Sequence, residues 1–146
     1  MAMAIFGHGI DMVEIDRIDG LLARHGDHFL TRCFTPAERT YCAARHTPAM
    51  HFAARFCVKE ALVKALGTGF RGTMAWTDIS VESDPLGKPC VRLSGATADI
   101  AAARGITYWH ISISHTRQHA IASVIAESAA VATGTVLRKT DTQPQY

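Results

Sequence analysis

Residues 108–116 and 120–126 are two runs of alternating side chains separated only by Arg117, Gln118 and His119. A link this short joins strands as an antiparallel hairpin. In the first run Trp109, Ile111, Ile113 and His115 share one face, and His110, Ser112 and Ser114 share the other. On pattern alone, a histidine in line with three apolar residues reads as a core histidine with its hydrogen bonds satisfied.

Upstream, Phe52, Phe56, Val63 and Leu66 recur at the spacing of one buried helix face. Thr47-Pro48 marks the start of this helix and Gly67 its end. Glu60 and Lys64, four residues apart, lie on one side of it, and Arg55 and Lys59 form a second charged row. One reading is a solvated face, on which a Glu–Lys pair contributes about 0.2–0.5 kcal/mol. The other is a chemical site, favoured by the Gly67-Thr68-Gly69 exit immediately beyond.

Residues 5–13 read as a strand with Phe6, Ile10 and Met12 on one face and Gly7, Gly9, Asp11 and Val13 on the other. Glycines inside a strand mark close approach of a ligand or another backbone, so Asp11 is placed as a site residue would be. A charge protecting an edge strand explains it equally well. Ile15, Ile18, Leu21 and Leu22 then mark an amphipathic helix, with Asp16 as its candidate cap and Gly26 as its expected end. Arg17, Leu21 and Arg24 form one row on it, which suits either solvent or an acidic helical partner. Thr35-Pro36-Ala37-Glu38 is a capping box. Residues 70–73 form a loop whose glycine could let backbone amides face a phosphate. Residues 78–82 and 90–93 read as strands joined by a turn-rich link, and residues 94–104 as a helix.

With 146 residues, 48% of them hydrophobic, the chain fits one domain able to bury a core. A net charge of +2 and the lack of a long basic run argue against nucleic acid as partner. Apolar runs are too short to span a bilayer and the N-terminus lacks signal-peptide character, so the expectation is a cytoplasmic protein without a membrane partner. Cys33, Cys42, Cys57 and Cys90 contain no Cys-x-x-Cys pair, and free thiols without zinc are expected. His25, His28, His46, His51 and His119 lack ligand spacing and read as surface residues beside turns. The residues from 128 onward, rich in alanine, threonine and polar side chains, read as a partly disordered extension of a domain spanning 1–127.

Three blocks in fixed order carry a resemblance. They are Gly9-Ile10-Asp11-Met12-Val13-Glu14-Ile15, then Phe56-Cys57-Val58-Lys59-Glu60-Ala61-Leu62-Val63-Lys64 with Gly67-Thr68-Gly69, then Ile111-Ser112-Ile113-Ser114-His115-Thr116. Together with residues 34–38, the Gly87-Lys88-Pro89 turn and the closing hairpin, they resemble the single-domain holo-(acyl-carrier-protein) synthases, the short 4′-phosphopantetheinyl transferases. The resemblance implies an α+β fold, a small antiparallel sheet packed with a long central helix, assembled as a homotrimer with active sites between neighbouring chains. It implies Mg²⁺-dependent transfer of the phosphopantetheine arm of coenzyme A to a serine of apo acyl carrier protein, for fatty acid biosynthesis, with release of adenosine 3′,5′-bisphosphate.

By the same resemblance Asp11 and Glu60 hold the metal, and Glu60, directly or through water, is the base for the carrier serine. Lys64 meets the departing phosphate. His115 and Thr116, with Arg55, Lys64 and Gly67, Thr68 and Gly69, contact coenzyme A, which sets aside the core reading of His115. Arg17, Leu21 and Arg24 dock the carrier. His8 stands where the family is apolar or small, and the extension passes the family's usual end. Competing readings are a module that binds coenzyme A or a carrier without transfer, the same chemistry on carrier domains of a polyketide or peptide synthase, and a structural trimer.

Overall fold

The computed structural model describes residues 2–129. Strand β1 (Met3–Glu14) runs directly into helix α1 (Ile15–Cys33), followed by α2 (Pro36–Ala43) and α3 (Pro48–Leu66). A short 3-10 helix (Trp76–Asp78) leads into the hairpin β2 (Ile79–Ser83) and β3 (Pro89–Leu93). Helix α4 (Gly95–Ala103) precedes the closing hairpin β4 (Ile106–His115) and β5 (His119–Ala129). The chain is therefore α+β, with a three-stranded antiparallel sheet in the order β1-β5-β4 and a separate two-stranded one. The expected extension begins inside β5, which continues through Ala129, and residues 130–146 lie outside those described.

One face of the larger sheet packs on α3. Ala120, Ala122, Val124 and Ala126 of β5 point to it and are fully or almost fully buried. On β1, the same face carries Gly7 and Gly9. A Cβ at Gly7 would stand 2.1 Å from the Ala65 carbonyl oxygen, and one at Gly9 1.8 Å from that of Ala61. The glycines thus mark the close approach of a backbone, that of α3. Phe6, Ile10 and Met12 lie on the other face, 40%, 51% and 62% exposed.

Helix α3 is buried on nearly every side, including the row expected to be solvated: Arg55 is 6% exposed and Lys59 not at all. Lys59 Nζ donates to Glu38 Oε2 at 2.7 Å, to the Cys33 carbonyl at 2.6 Å and to the Trp76 carbonyl at 3.2 Å. Glu38 also accepts from the backbone amides of Thr35 and Val81, both at 2.8 Å. Thr35 and Glu38 form the expected capping box, so one carboxylate caps α2 and neutralises a core lysine.

One helix boundary differs from expectation. Glu14, without a side-chain cap bond, occupies the N-cap of α1, and Asp16 sits in the first turn. Gly26 adopts a non-helical φ 47° and ψ −124°, so the first helical segment of α1 ends there as expected and a second follows across the kink. Phe29 and Cys33 of that second segment are buried. Gly67 ends α3 as expected, in the left-handed conformation at φ 72°. His25 and His28 lie within α1 and His51 within α3, so these three are not turn residues.

Candidate active site

The close packing of β1 on α3 brings together the first group of expected residues. Asp11 follows Gly9 by one period of the strand and so faces the helix. Lys64 Nζ donates to Asp11 Oδ1 at 3.1 Å and to the Ile10 carbonyl at 2.9 Å. Glu60, one turn before Lys64, is half-buried, and burial together with the Asp11 carboxylate holds its pKa above the usual carboxylate range. Lys64 and Arg17 oppose that shift. The site therefore holds two carboxylates, one from a strand and one from a helix, with the Lys64 ammonium on Asp11, and burial leaves Glu60 favouring its protonated form.

Below them, Cys57 donates its thiol to the Ala120 carbonyl at 3.4 Å. Burial, then the charge of Asp11 and a hydrogen bond with it, pushes the Cys57 thiol up to about 12. It packs as a small apolar group and is no nucleophile at neutral pH. Cys33, Cys42 and Cys90 are likewise free, the first two buried.

A second group forms elsewhere on α3. Arg55 and His115 line a cavity of about 470 Å³, with Tyr41, His51 and Lys88 also at its wall. His115, at the end of the edge strand β4, is exposed despite its apolar neighbours. A further cavity of about 720 Å³ adjoins it, lined by His115, Thr116 and Arg117 against Ile15 and Leu22 of α1. Thr116 also builds the β4–β5 turn, its Oγ1 accepting from the amides of Gln118 and His119. Arg55 and Glu60 are five residues apart, which on a helix separates them by about 140° and about 7.5 Å along the axis. The expected site residues are thus gathered in two groups on one chain.

Residues 67–69 close the C-terminus of α3. The Gly67 amide bonds to the Lys64 carbonyl at 2.9 Å, and those of Thr68 and Gly69 to that of Val63 at 3.2 and 3.4 Å. These amides cap the helix and are already bonded, and the Thr68 hydroxyl is buried without a partner among the described residues. On α1, Arg17 and Arg24 are exposed and Leu21 half-buried, and beside Leu21 lies a groove of about 420 Å³ reaching Trp76. As site residues, Tyr41, His51 and Lys88 escaped the sequence reading. The one signal for Tyr41 and Arg45 was their helical spacing of four, which is common.

Residues 7–124 match the 4′-phosphopantetheinyl transferase superfamily. The chain is 47% identical over 123 residues to the holo-[acyl-carrier-protein] synthase of Koribacter versatilis, covering 84% of this chain and 98% of that one. The fold is similar to that of the holo-[acyl-carrier-protein] synthase of Neisseria meningitidis, with a TM-score of 0.79, 34% identity and coverage of 84% and 98%. It is also similar to the Bacillus anthracis holo-(acyl-carrier-protein) synthase in complex with CoA (3′,5′-ADP), with a TM-score of 0.72, 35% identity and coverage of 88% and 100%.

Proposed function

Since this chain belongs to the 4′-phosphopantetheinyl transferase superfamily, we propose that it transfers the 4′-phosphopantetheine group of coenzyme A to a serine of apo acyl carrier protein. Adenosine 3′,5′-bisphosphate is released, Mg²⁺ is required, and the product serves fatty acid biosynthesis. The observation that carries this reading is the convergence of Asp11 and Lys64 through a 3.1 Å contact, beside a Glu60 whose pKa is raised by burial and then by Asp11. Its similarity to holo-(acyl-carrier-protein) synthases, one of them in complex with coenzyme A, supports the substrate and the acceptor.

In this reaction the serine oxygen attacks the phosphorus that bears pantetheine. The bond from that phosphorus to the bridging oxygen breaks, and the serine proton passes to Glu60, directly or through water. A base so positioned contributes about 10² to 10⁴ in rate. Lys64, about half exposed, brings its ammonium to the charge that develops on the departing phosphate. Asp11 and Glu60 are hard oxygen donors from a strand and a helix, and burial followed by the Asp11 charge raises the pKa of Glu60, a shift that a dication held there would oppose. When bound, Mg²⁺ neutralises charge on the pyrophosphate.

Coenzyme A extends from this group to Arg55, His115 and Thr116, with residues 67–69 beside it. The acidic carrier docks on Arg17, Leu21 and Arg24. The family resemblance implies a homotrimer with sites between neighbouring chains, and the separation of the two groups on one chain and the exposed apolar sheet face support contact between copies. No described helix is long and apolar enough to cross a membrane, in keeping with a cytoplasmic enzyme. The transferase unit spans residues 1–127, with 128–146 as an extension.

The test is the mass of purified apo acyl carrier protein after incubation with coenzyme A and enzyme, with and without Mg²⁺, for wild type and Glu60→Gln. A Mg²⁺-dependent mass gain that the variant loses supports the reading. Coenzyme A binding without modification of any of several carriers would make the protein a binding module instead.

A further inference from the structure

Arg55 is an unusual residue to find so deeply buried. It is 6% exposed, it forms no ion pair among the described residues, and its Nε has no hydrogen-bond partner there. Its one hydrogen bond is a long one, from Nη1 to the His51 carbonyl at 3.4 Å. A guanidinium taken out of water without a carboxylate is costly, unless an anion arrives or an aromatic face shares the charge. Tyr41 provides the face. Its ring centroid is 4.2 Å from the Arg55 guanidinium carbon and 3.9 Å from that of Arg45, one turn further along from Tyr41. The His51 ring meets the same tyrosine edge-on at 6.0 Å.

The surroundings are cationic. Arg55, His51, His115 and Lys88 share the cavity, and its one carboxylate, Glu82, is bonded at both oxygens to Arg92 at 3.2 Å. His51 is held below the usual histidine range by burial and then by Arg55, Arg45 and His115, which reports a positive potential at that spot.

We propose that Tyr41 is a positioning residue for coenzyme A: its ring holds Arg45 and Arg55 together so that the buried Arg55 meets the 3′-phosphate of the nucleotide. This rests on the transferase reading above. The pyrophosphate belongs with Glu60 and Lys64, where the chemistry takes place, and Arg55 lies round the helix from them. The phosphate left for the cationic cavity is the monoester on the ribose, a compact dianion that matches the Arg55 guanidinium with Lys88 and His115 at the same wall and Arg45 over the Tyr41 ring. Without the ring, two like charges would separate and the long Arg55 side chain would lose its fixed rotamer.

Calorimetric titration of the full-length protein with coenzyme A and with dephospho-coenzyme A tests this, using wild type, Tyr41→Phe and Tyr41→Leu. Wild type should prefer coenzyme A. Tyr41→Leu should bind coenzyme A about tenfold more weakly, with dephospho-coenzyme A changed less than about twofold and KM rising more than kcat falls. Tyr41→Phe, which keeps the ring, should behave as wild type. Should the leucine variant not fold by circular dichroism, Tyr41→Met takes its place. Equal weakening toward both ligands, or none toward coenzyme A, overturns the positioning role. A wild type that binds both ligands equally removes the 3′-phosphate assignment, and one that binds neither removes the transferase reading beneath it.

Discussion

Glu60 carries opposite demands, and both can be measured. Its folded pKa is raised, so the fold favours the protonated form. The stability this contributes is present below the ordinary glutamate pKa and lost as pH rises through the raised one. Near neutral pH the ionised carboxylate is therefore a cost, and Glu60→Gln should melt higher than wild type without metal, by a margin that shrinks toward about pH 4. Added Mg²⁺ should raise the melting temperature of wild type more than that of the variant. As a base Glu60 must be ionised, a form that bound Mg²⁺ favours, so activity should rise with pH at a lower pH than the metal-free melting difference does. The variant should lose about 10² to 10⁴ in kcat. A variant that melts lower than wild type at neutral pH would contradict this account. Lys59 and Glu38 make the contrasting case of a pair with no exposure at all. Lys59→Met leaves Glu38 buried without its counter-charge and should cost about 3–5 kcal/mol by urea denaturation. Adding Glu38→Gln should recover part of that loss. Glu38 was legible as a cap because capping is local. Its bond to Lys59 depends on how two helices and a strand pack, which spacing along the chain does not encode.

At the scale of elements, the approach of β1 to α3 decides the geometry of the site, since Asp11 and Glu60 sit on opposite sides of that contact. A valine at Gly9 would drive its Cβ into the Ala61 carbonyl, within 1.8 Å on the present backbone. Helix and strand must then part, and Gly9→Val should destabilise by about 3 kcal/mol or more and weaken Mg²⁺ binding with it. Gly20, inside α1, meets only the Arg24 guanidinium at 3.8 Å, so Gly20→Ala should instead stabilise by about 0.5–1 kcal/mol. Chemical denaturation of the two variants separates the roles of glycine. The strands and helices themselves were largely readable: the closing hairpin, the Thr35 capping box and the Gly67 terminus all rest on contacts within a few residues. Gly26 was legible as the end of the first helical segment of α1, but the second segment beyond it was not. That segment packs Phe29 and Cys33 into a core assembled from distant parts of the chain. His115 misled, since alternation gives the face of a strand but not how far other elements cover that face.

For the whole molecule, the outer face of the sheet and the division of the site both bear on the proposed assembly. Ile5, Phe6, Ile10 and Met12 of β1 and Tyr108 of β4 are 40% to 69% exposed. Large apolar side chains exposed together on one sheet face suit an interaction site. Two polar pairs lie at that face, His8 Nε2 with Ser123 Oγ at 2.9 Å and His110 Nε2 with Glu127 Oε2 at 2.8 Å. The His8 contact answers the family departure seen in the sequence, with a hydrogen bond to the neighbouring strand. If copies of the chain meet on this face, Ile10→Asp, which puts an unpaired charge at its centre, should convert the oligomer to monomers in analytical ultracentrifugation while the monomer keeps its circular dichroism. Activity should fall with the oligomer, provided one site draws Glu60 and Lys64 from one chain and Arg55 and His115 from the next. That condition has its own test, because it makes two inactive variants complementary. Glu60→Gln retains the Arg55 group and Arg55→Ala retains the Glu60 group. Mixed, dissociated in mild denaturant and reassembled, they should recover part of wild-type activity, since some interfaces then pair an intact group from each parent. A site completed within a single chain allows no such recovery at any mixing ratio, and that result would return Arg55 and Glu60 to the same active site despite their separation round α3.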